Sequence, residues 1–182
     1  MLKKITPAHR KNKVRFQNFQ RTYPNISIEQ CSFGRGVFAA QNISEGEIIL
    51  TLTGKVINVD QVPAKAEQEA SNPLQIDTTS YIDLEEPGVM VNHHCNPNAG
   101  IVNTNVLVAL IDICKGEEIF YDYSTTMSEN YWTMECRCLS SNCRKTIKDF
   151  HYLPVDVKEK YLKLGIVQDF IVREHNMLNL FR

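Results

Sequence analysis

The chain has 182 residues, 43% of them hydrophobic and 23% charged, which suits one soluble globular domain with a hydrophobic core and a terminal extension. No apolar run approaches the ~20 residues that span a bilayer, and no apolar segment follows the basic start Met1-Leu2-Lys3-Lys4. The composition therefore argues against a membrane or secreted protein and for a reducing, intracellular location, cytoplasmic or, in a eukaryote, nuclear. The formal net charge of −1 hides an asymmetry: residues 1–28 hold seven Lys and Arg and no acid, while the rest holds 13 basic against 21 acidic residues, a balance of −8. An acidic body of this kind attracts cationic partners. The basic arm is read as a solubilising terminus, with nucleic-acid contact as the alternative.

In chain order, residues 25–28 alternate as a short strand. Phe33-Gly34-Arg35-Gly36-Val37-Phe38-Ala39-Ala40 follows, a glycine-flanked turn running into an apolar strand, where exposed backbone lets a ligand approach closely. Ser44-Glu45-Gly46-Glu47 is a turn before a β-rich stretch over 48–53, which breaks at Gly54. Residues 61–71, rich in Ala, Glu and Lys, predict a short helix or a surface insert. Tyr81-Ile82-Asp83-Leu84 is strand-like, and Glu86-Pro87-Gly88 turns the chain towards the apolar Val89-Met90-Val91. Residues 106–113 predict a buried central strand, and Lys115-Gly116-Glu117 turns it into Ile119-Phe120-Tyr121-Asp122-Tyr123. Two helices over 156–164 and 168–176 close the chain, with Gly165 as the break and Val157, Tyr161 and Leu164 as an apolar stripe that docks on the domain.

Between the central apolar segments lies Asn92-His93-His94-Cys95-Asn96-Pro97-Asn98, which concentrates amides, imidazoles and a thiol around a rigid proline. Polar groups among buried strands must all find partners, so this knot is the candidate site, although Asn96-Pro97-Asn98 alone is compatible with an ordinary turn. Downstream, Cys136, Cys138 and Cys143 are spaced as Cys-x-Cys-x-x-x-x-Cys in a polar loop, which lets a short backbone wrap one ion. Three ligands leave a tetrahedral zinc incomplete, and Cys95 is the natural fourth, giving a closed four-thiolate structural site. Cys31 and Cys114, in apolar β-like surroundings, are expected in the core.

Taken together these motifs resemble the SET-domain protein-lysine methyltransferases over most of residues 30–150. Gly34-Arg35-Gly36-Val37-Phe38-Ala39 is similar to the family's opening Gly-x-Gly motif, and the polar knot to its Asn-His-Ser-Cys-x-Pro-Asn. Glu117-Glu118-Ile119-Phe120-Tyr121-Asp122-Tyr123 matches its Glu-Leu-x-Phe/Tyr-Asp-Tyr, and Cys136, Cys138 and Cys143-Arg144 its post-SET zinc loop. The resemblance implies a mainly β fold of small curved sheets, a β-clip, in which the segment bearing Tyr123 threads beneath a loop as a pseudoknot. It divides the chain into a basic arm (1–28), a SET domain (29–126), a post-SET zinc loop (127–150) and a helical extension (151–182).

The resemblance also implies roles. S-adenosylmethionine is bound through Arg35, Gly36, Asn92 and His93, with Tyr81 as a further cofactor residue; Tyr123 is catalytic; and Tyr121, where relatives carry Phe or Tyr, restricts the product to mono- or dimethyl-lysine. The implied substrate is a lysine in a basic segment of a histone or other protein. Three residues depart from the family pattern: His94 replaces Ser, Leu52 stands where an aromatic residue is common, and Leu139 replaces a Gly. In the C-terminal extension, Tyr152, Tyr161 and Phe170 are read as packing residues, with framing of the substrate channel as the alternative. Two other readings are a catalytically silent peptide-binding module and a Cys-His hydrolase built on Cys95.

Overall fold

The computed structural model describes residues 23–62 and 73–180. Most of the basic arm and nearly all of the expected helix over 61–71 lie outside these residues. The architecture is a set of small sheets closed by two helices. β1 (Ile26–Cys31) and β2 (Gly34–Ala39) form an antiparallel hairpin, with Ile26 opposite Ala39 and Cys31 opposite Gly34. β3 (Ile48–Thr51), β8 (Ala99–Val102) and β9 (Val106–Ala109) form one antiparallel sheet with β9 in the centre. β4 (Gly54–Asn58), β5 (Pro73–Gln75) and β6 (Ser80–Leu84) form another, with β6 in the centre.

These strands and the segments that join them enclose one core, in which Val37, Ile43, Leu52, Leu107, Ile113 and Ile119 are almost fully buried. Burying such side chains contributes roughly 1.5–3 kcal/mol each. The central strand is shorter than its apolar run. β9 ends at Ala109, residues 110–112 bend, and the exposed Asp112 accepts a bond from the Glu45 N–H, so that Ile113 returns to the core only through an isolated bridge to Ile43. Val89 and Met90 likewise belong to a 3-10 turn (Gly88–Met90) rather than a strand.

β7 (Asn92–His93) pairs in parallel with β10 (Phe120–Tyr121), joining two distant motifs. Asn98 clamps the same segment: its Nδ2 donates to the Glu118 carbonyl and its Oδ1 accepts from the Phe120 N–H, both at 2.8 Å. These bonds lay residues 118–123 directly against residues 92–98, as the pseudoknot requires. β11 (Met134–Glu135) and β12 (Thr146–Ile147) bracket the cysteine loop.

Helix α1 (Val155–Leu164) ends in a left-handed turn at Gly165, and α2 (Asp169–Leu180) follows. The buried stripe of α1 stops at Tyr161, Leu164 is exposed, and burial passes to Ile166 and Val167 beyond the turn. Phe150, Tyr161, Ile166, Phe170 and Ile171 form a second core against Val102 and Leu110. The approach is close: a Cβ on Gly100 of β8 would stand 2.5 Å from Ile166 Cγ2, so no larger residue fits there without a shift. Among the described residues no helix is long and apolar enough to cross a membrane.

Candidate active site and thiol cluster

The parallel β7–β10 pair places Asn92 beside Phe120 and His93 beside Tyr121. Around Asn92 the Gly-x-Gly hairpin closes in. Asn92 Nδ2 lies within bonding distance of the Arg35 carbonyl (3.1 Å), Glu118 Oε1 (2.8 Å) and Cys31 Sγ (3.5 Å). A Cβ on Gly36 would overlap Glu118 Oε1, so the glycine is what lets the hairpin meet the knot. The amide donors of Asn92 are thus committed within the protein, which leaves its side-chain oxygen to meet a donor such as an ammonium. The Arg35 side chain pairs with Glu86 at 2.7 Å on the surface, so only its backbone takes part in this cluster. Cys31, expected in the core, sits half-buried at this junction, and Cys114 is exposed at a turn.

His93 is buried. The Tyr123 N–H donates to its Nδ1 at 3.2 Å, which leaves the proton on Nε2, facing Cys95 Sγ at 3.4 Å. Burial lowers its pKa to about 4, against the pull of Asp122, so the ring is neutral. This geometry excludes a Cys95–His93 hydrolytic dyad: the nitrogen facing the thiol already carries a hydrogen, and burial pushes the thiol up to about 11.

Tyr121 and Tyr123 face a cavity of about 490 Å³, with Tyr81, Leu84, Val89, Val91 and Trp132 among its walls. The two rings lie 4.8 Å apart, and Trp132 stands 6.4 Å from Tyr123. The Tyr123 hydroxyl donates to the Val91 carbonyl at 2.9 Å. Burial raises both phenol pKa values, with Glu118 adding to the effect at Tyr123, so both hydroxyls hold their protons at neutral pH. Tyr81 lines the aromatic cavity and donates to Glu129 Oε2 at 2.7 Å. Sequence reasoning passed over Glu129, Tyr131 and Trp132. The signal available was the clustering of two aromatics and an acid between the Tyr123 motif and the first loop cysteine.

Asp122, between the two tyrosines, turns the other way and is fully buried. It accepts two bonds from Arg144 at 2.6 and 2.7 Å and one from Tyr161 at 2.9 Å. Burial opposes the charge on Arg144, and its bonds to Asp122 outweigh that and raise its pKa. Tyr161 and Phe170 are buried packing residues and Tyr152 is exposed; none of the three lines the aromatic cavity.

Arg144 follows the last of four thiols. Cys95, Cys136, Cys138 and Cys143 place their sulfurs within 4.8 Å of one another, and Cys95 and Cys136 stand 3.8 Å apart. Four sulfurs in a tetrahedron around zinc, each about 2.3 Å from it, are also separated by about 3.8 Å. The donor set fits such an ion chemically. Burial raises the Cys95 and Cys136 thiols, while bonds from the Cys95 and Ser140 backbones overcome burial at Cys138 and bring it down to about 6. Four thiols this close hold their full negative charge only around a cation. His94, in the place of the family's Ser, staples loop to knot through Nε2 and the Cys138 carbonyl at 3.1 Å. Leu139 adopts a left-handed φ of 58° and is 91% exposed, a backbone conformation that favours Gly.

Comparison with known proteins agrees with this geometry. The chain is 34% identical over 131 residues to a variant-silencing SET domain-containing protein of Plasmodium falciparum, covering 60% of this chain and 5% of that protein. It is 30% identical over 150 residues to a histone-lysine N-methyltransferase, H3 lysine-36 specific, of Candida albicans, covering 72% of this chain and 17% of that one. A probable histone-lysine N-methyltransferase of Caenorhabditis elegans is 25% identical over 172 residues, with coverages of 83% and 68%. The chain thus spans a small part of the first two relatives and about two thirds of the third. The SET domain model matches residues 34–124, the stretch from the Gly-x-Gly hairpin through Tyr123, and with motifs, fold and thiol cluster in agreement the chain belongs to the SET-domain family.

Proposed function

We propose that this chain is an S-adenosylmethionine-dependent protein-lysine N-methyltransferase that acts on a lysine in a basic segment of a histone or other protein. The observation that carries this reading is the pair Tyr121 and Tyr123 facing one aromatic cavity, directly beside the Asn92–His93 strand. S-adenosylmethionine, when bound, supplies an electrophilic methyl group on a sulfonium. Backbone at Arg35 and Gly36, with Asn92 and His93, would hold it, the Asn92 side-chain oxygen accepting from its ammonium. Tyr81 would close the cavity wall where methyl and lysine meet.

Free lysine has a pKa near 10.4 and attacks only when neutral. Apolar and aromatic walls around the amine disfavour the ammonium, so the proton leaves to water as the side chain seats. The displacement then depends on alignment more than on a strong base. Tyr123, protonated through burial, would orient the amine through its hydroxyl. Tyr121 would fill the space a third methyl needs, giving mono- or dimethyl-lysine. The four thiolates would hold a structural zinc that fixes the post-SET loop over the knot. The acidic body would draw in a basic segment, within the cell or its nucleus.

Two measurements test the finer points. Calorimetric titration with S-adenosylmethionine is expected to show at least roughly tenfold weaker binding to Asn92→Ala, as for loss of a charge-assisted hydrogen bond; unchanged affinity removes Asn92 from the cofactor site. Product mass spectra are expected to show mono- and dimethyl-lysine for the wild type and a shift towards trimethyl-lysine for Tyr121→Phe. Wild-type product dominated by trimethyl-lysine overturns the assigned role of Tyr121.

A further inference from the structure

Glu129 has no role in the reaction outlined above, yet among the described residues lining the aromatic cavity it is the only charged one. It is held firmly. The Tyr81 hydroxyl donates to Oε2 at 2.7 Å, and Tyr131 lines the same cavity. Its backbone is pinned as well: the N–H groups of Glu129 and Asn130 both donate to Oδ2 of the buried Asp149, at 2.8 and 2.5 Å, with Asn130 in the left-handed region.

A carboxylate has about four acceptor positions, and the Tyr81 hydroxyl occupies one. Among the described residues, no Lys, Arg or His forms an ion pair with Glu129. An anion drawn into an aromatic cavity without a cation is costly, and burial accordingly pushes the Glu129 pKa up. Tyr121, Tyr123 and Trp132 line the same space, and aromatic rings attract cations at their faces. A ligand that complements these described groups has a defined chemistry: a primary ammonium on an apolar stem.

We propose that Glu129 is a specificity-determining residue whose carboxylate pairs with the ammonium of the target lysine as it enters the cavity. This rests on the reading of the cavity as a lysine channel. The pairing captures the charged form that dominates in water, before the deeper tyrosines receive the neutral amine. It also favours lysine carrying few methyl groups, because each methyl removes an N–H donor and trimethyl-lysine has none to offer.

The test uses the full zinc-loaded chain and n-butylammonium, the lysine side chain alone, with 1-butanol as the neutral control, in ligand-observed NMR titrations. The wild type is expected to bind n-butylammonium more tightly than 1-butanol. Glu129→Gln is expected to weaken n-butylammonium roughly tenfold or more, as for loss of a charge-assisted bond, and to leave 1-butanol unchanged. With core histones as acceptor, Glu129→Gln raises KM by a similar factor with kcat within about twofold, whereas Tyr123→Phe lowers kcat.

Unchanged n-butylammonium affinity and KM in Glu129→Gln, in a chain whose wild type is active, overturn the role of Glu129 and leave the lysine channel standing. A wild type that neither binds n-butylammonium nor methylates protein removes the channel reading itself. Should the variant fail to fold, the wild-type comparison decides: 1-butanol bound as tightly as n-butylammonium overturns the proposal.

Discussion

The two faces of the segment 121–123 are built on opposite principles. Tyr121 and Tyr123 turn into a cavity with mostly apolar and aromatic walls, and their hydroxyls stay neutral. Asp122 turns into the protein, fully buried and charged, and is met by Arg144, Tyr161 and the Ser124 N–H. Strand β10 ends at Tyr121; Asp122, still extended, sends its side chain to the opposite side and caps the 3-10 turn Tyr123–Thr126 that opens with Tyr123. The inner face ties together regions far apart in sequence, because Arg144 belongs to the cysteine loop and Tyr161 to helix α1. The segment bearing Tyr123 is therefore anchored from behind by a charged pair, while the Tyr123 hydroxyl is held on the cavity side by the Val91 carbonyl. A buried ion pair of this kind is weak as a source of net stability, yet removing one partner leaves the other charge uncompensated.

Disturbing the two faces separately should give different outcomes. Removing zinc is expected to have the largest effect, since structural zinc sites bind with apparent free energies of about 10–16 kcal/mol. Chelator should make Cys95 and the loop thiols alkylatable, and mass spectrometry should find them protected beforehand. Asp122→Ala strands the Arg144 charge and should destabilise the chain by about 3–5 kcal/mol in urea melts. A melt unchanged from wild type would remove the anchor from the account. Tyr123→Phe, on the other face, should lower turnover by roughly 10²–10³-fold, as for loss of a positioned donor, while shifting stability by only about 1 kcal/mol through the lost bond to Val91. The smallest effect is at Leu139, where Gly relieves a left-handed residue. Leu139→Gly should stabilise the loop by about 1 kcal/mol, read as slower zinc release to chelator.

The same contrast marks what was legible in the sequence. The motifs around Asn92 and Tyr123, the thiol spacing and the break at Gly165 depend on residues close together in the chain, and their spacing carries the signal. Apolar runs proved less informative, because apolarity does not choose between strand and turn: Val89 and Met90 lie in a 3-10 turn, and the run over 106–113 is interrupted after Ala109 by an exposed bend. Cys114, read as core, is exposed because it lies in the turn that begins with Cys114 and Lys115, where its neighbours and not its own apolarity decide its place. Least legible were pairings across long stretches. Tyr81 reaches Glu129, and Asp122 reaches Tyr161, only after several sheets have folded between them. No local pattern encodes such a contact, so the wall of the cavity and the anchor behind it emerged from the structure.

The measurement that bears most directly on the central claim is methyl transfer from labelled S-adenosylmethionine. Zinc-loaded wild type and Tyr123→Phe would be compared on core histones and on whole-cell lysate, with peptide mass spectrometry to locate the label. The account predicts label on lysine side chains with the wild type and nearly none with Tyr123→Phe, whose stability stays within about 1 kcal/mol of wild type. Absence of transfer to any protein by a folded, cofactor-binding wild type would contradict it and leave a silent peptide-binding module in its place.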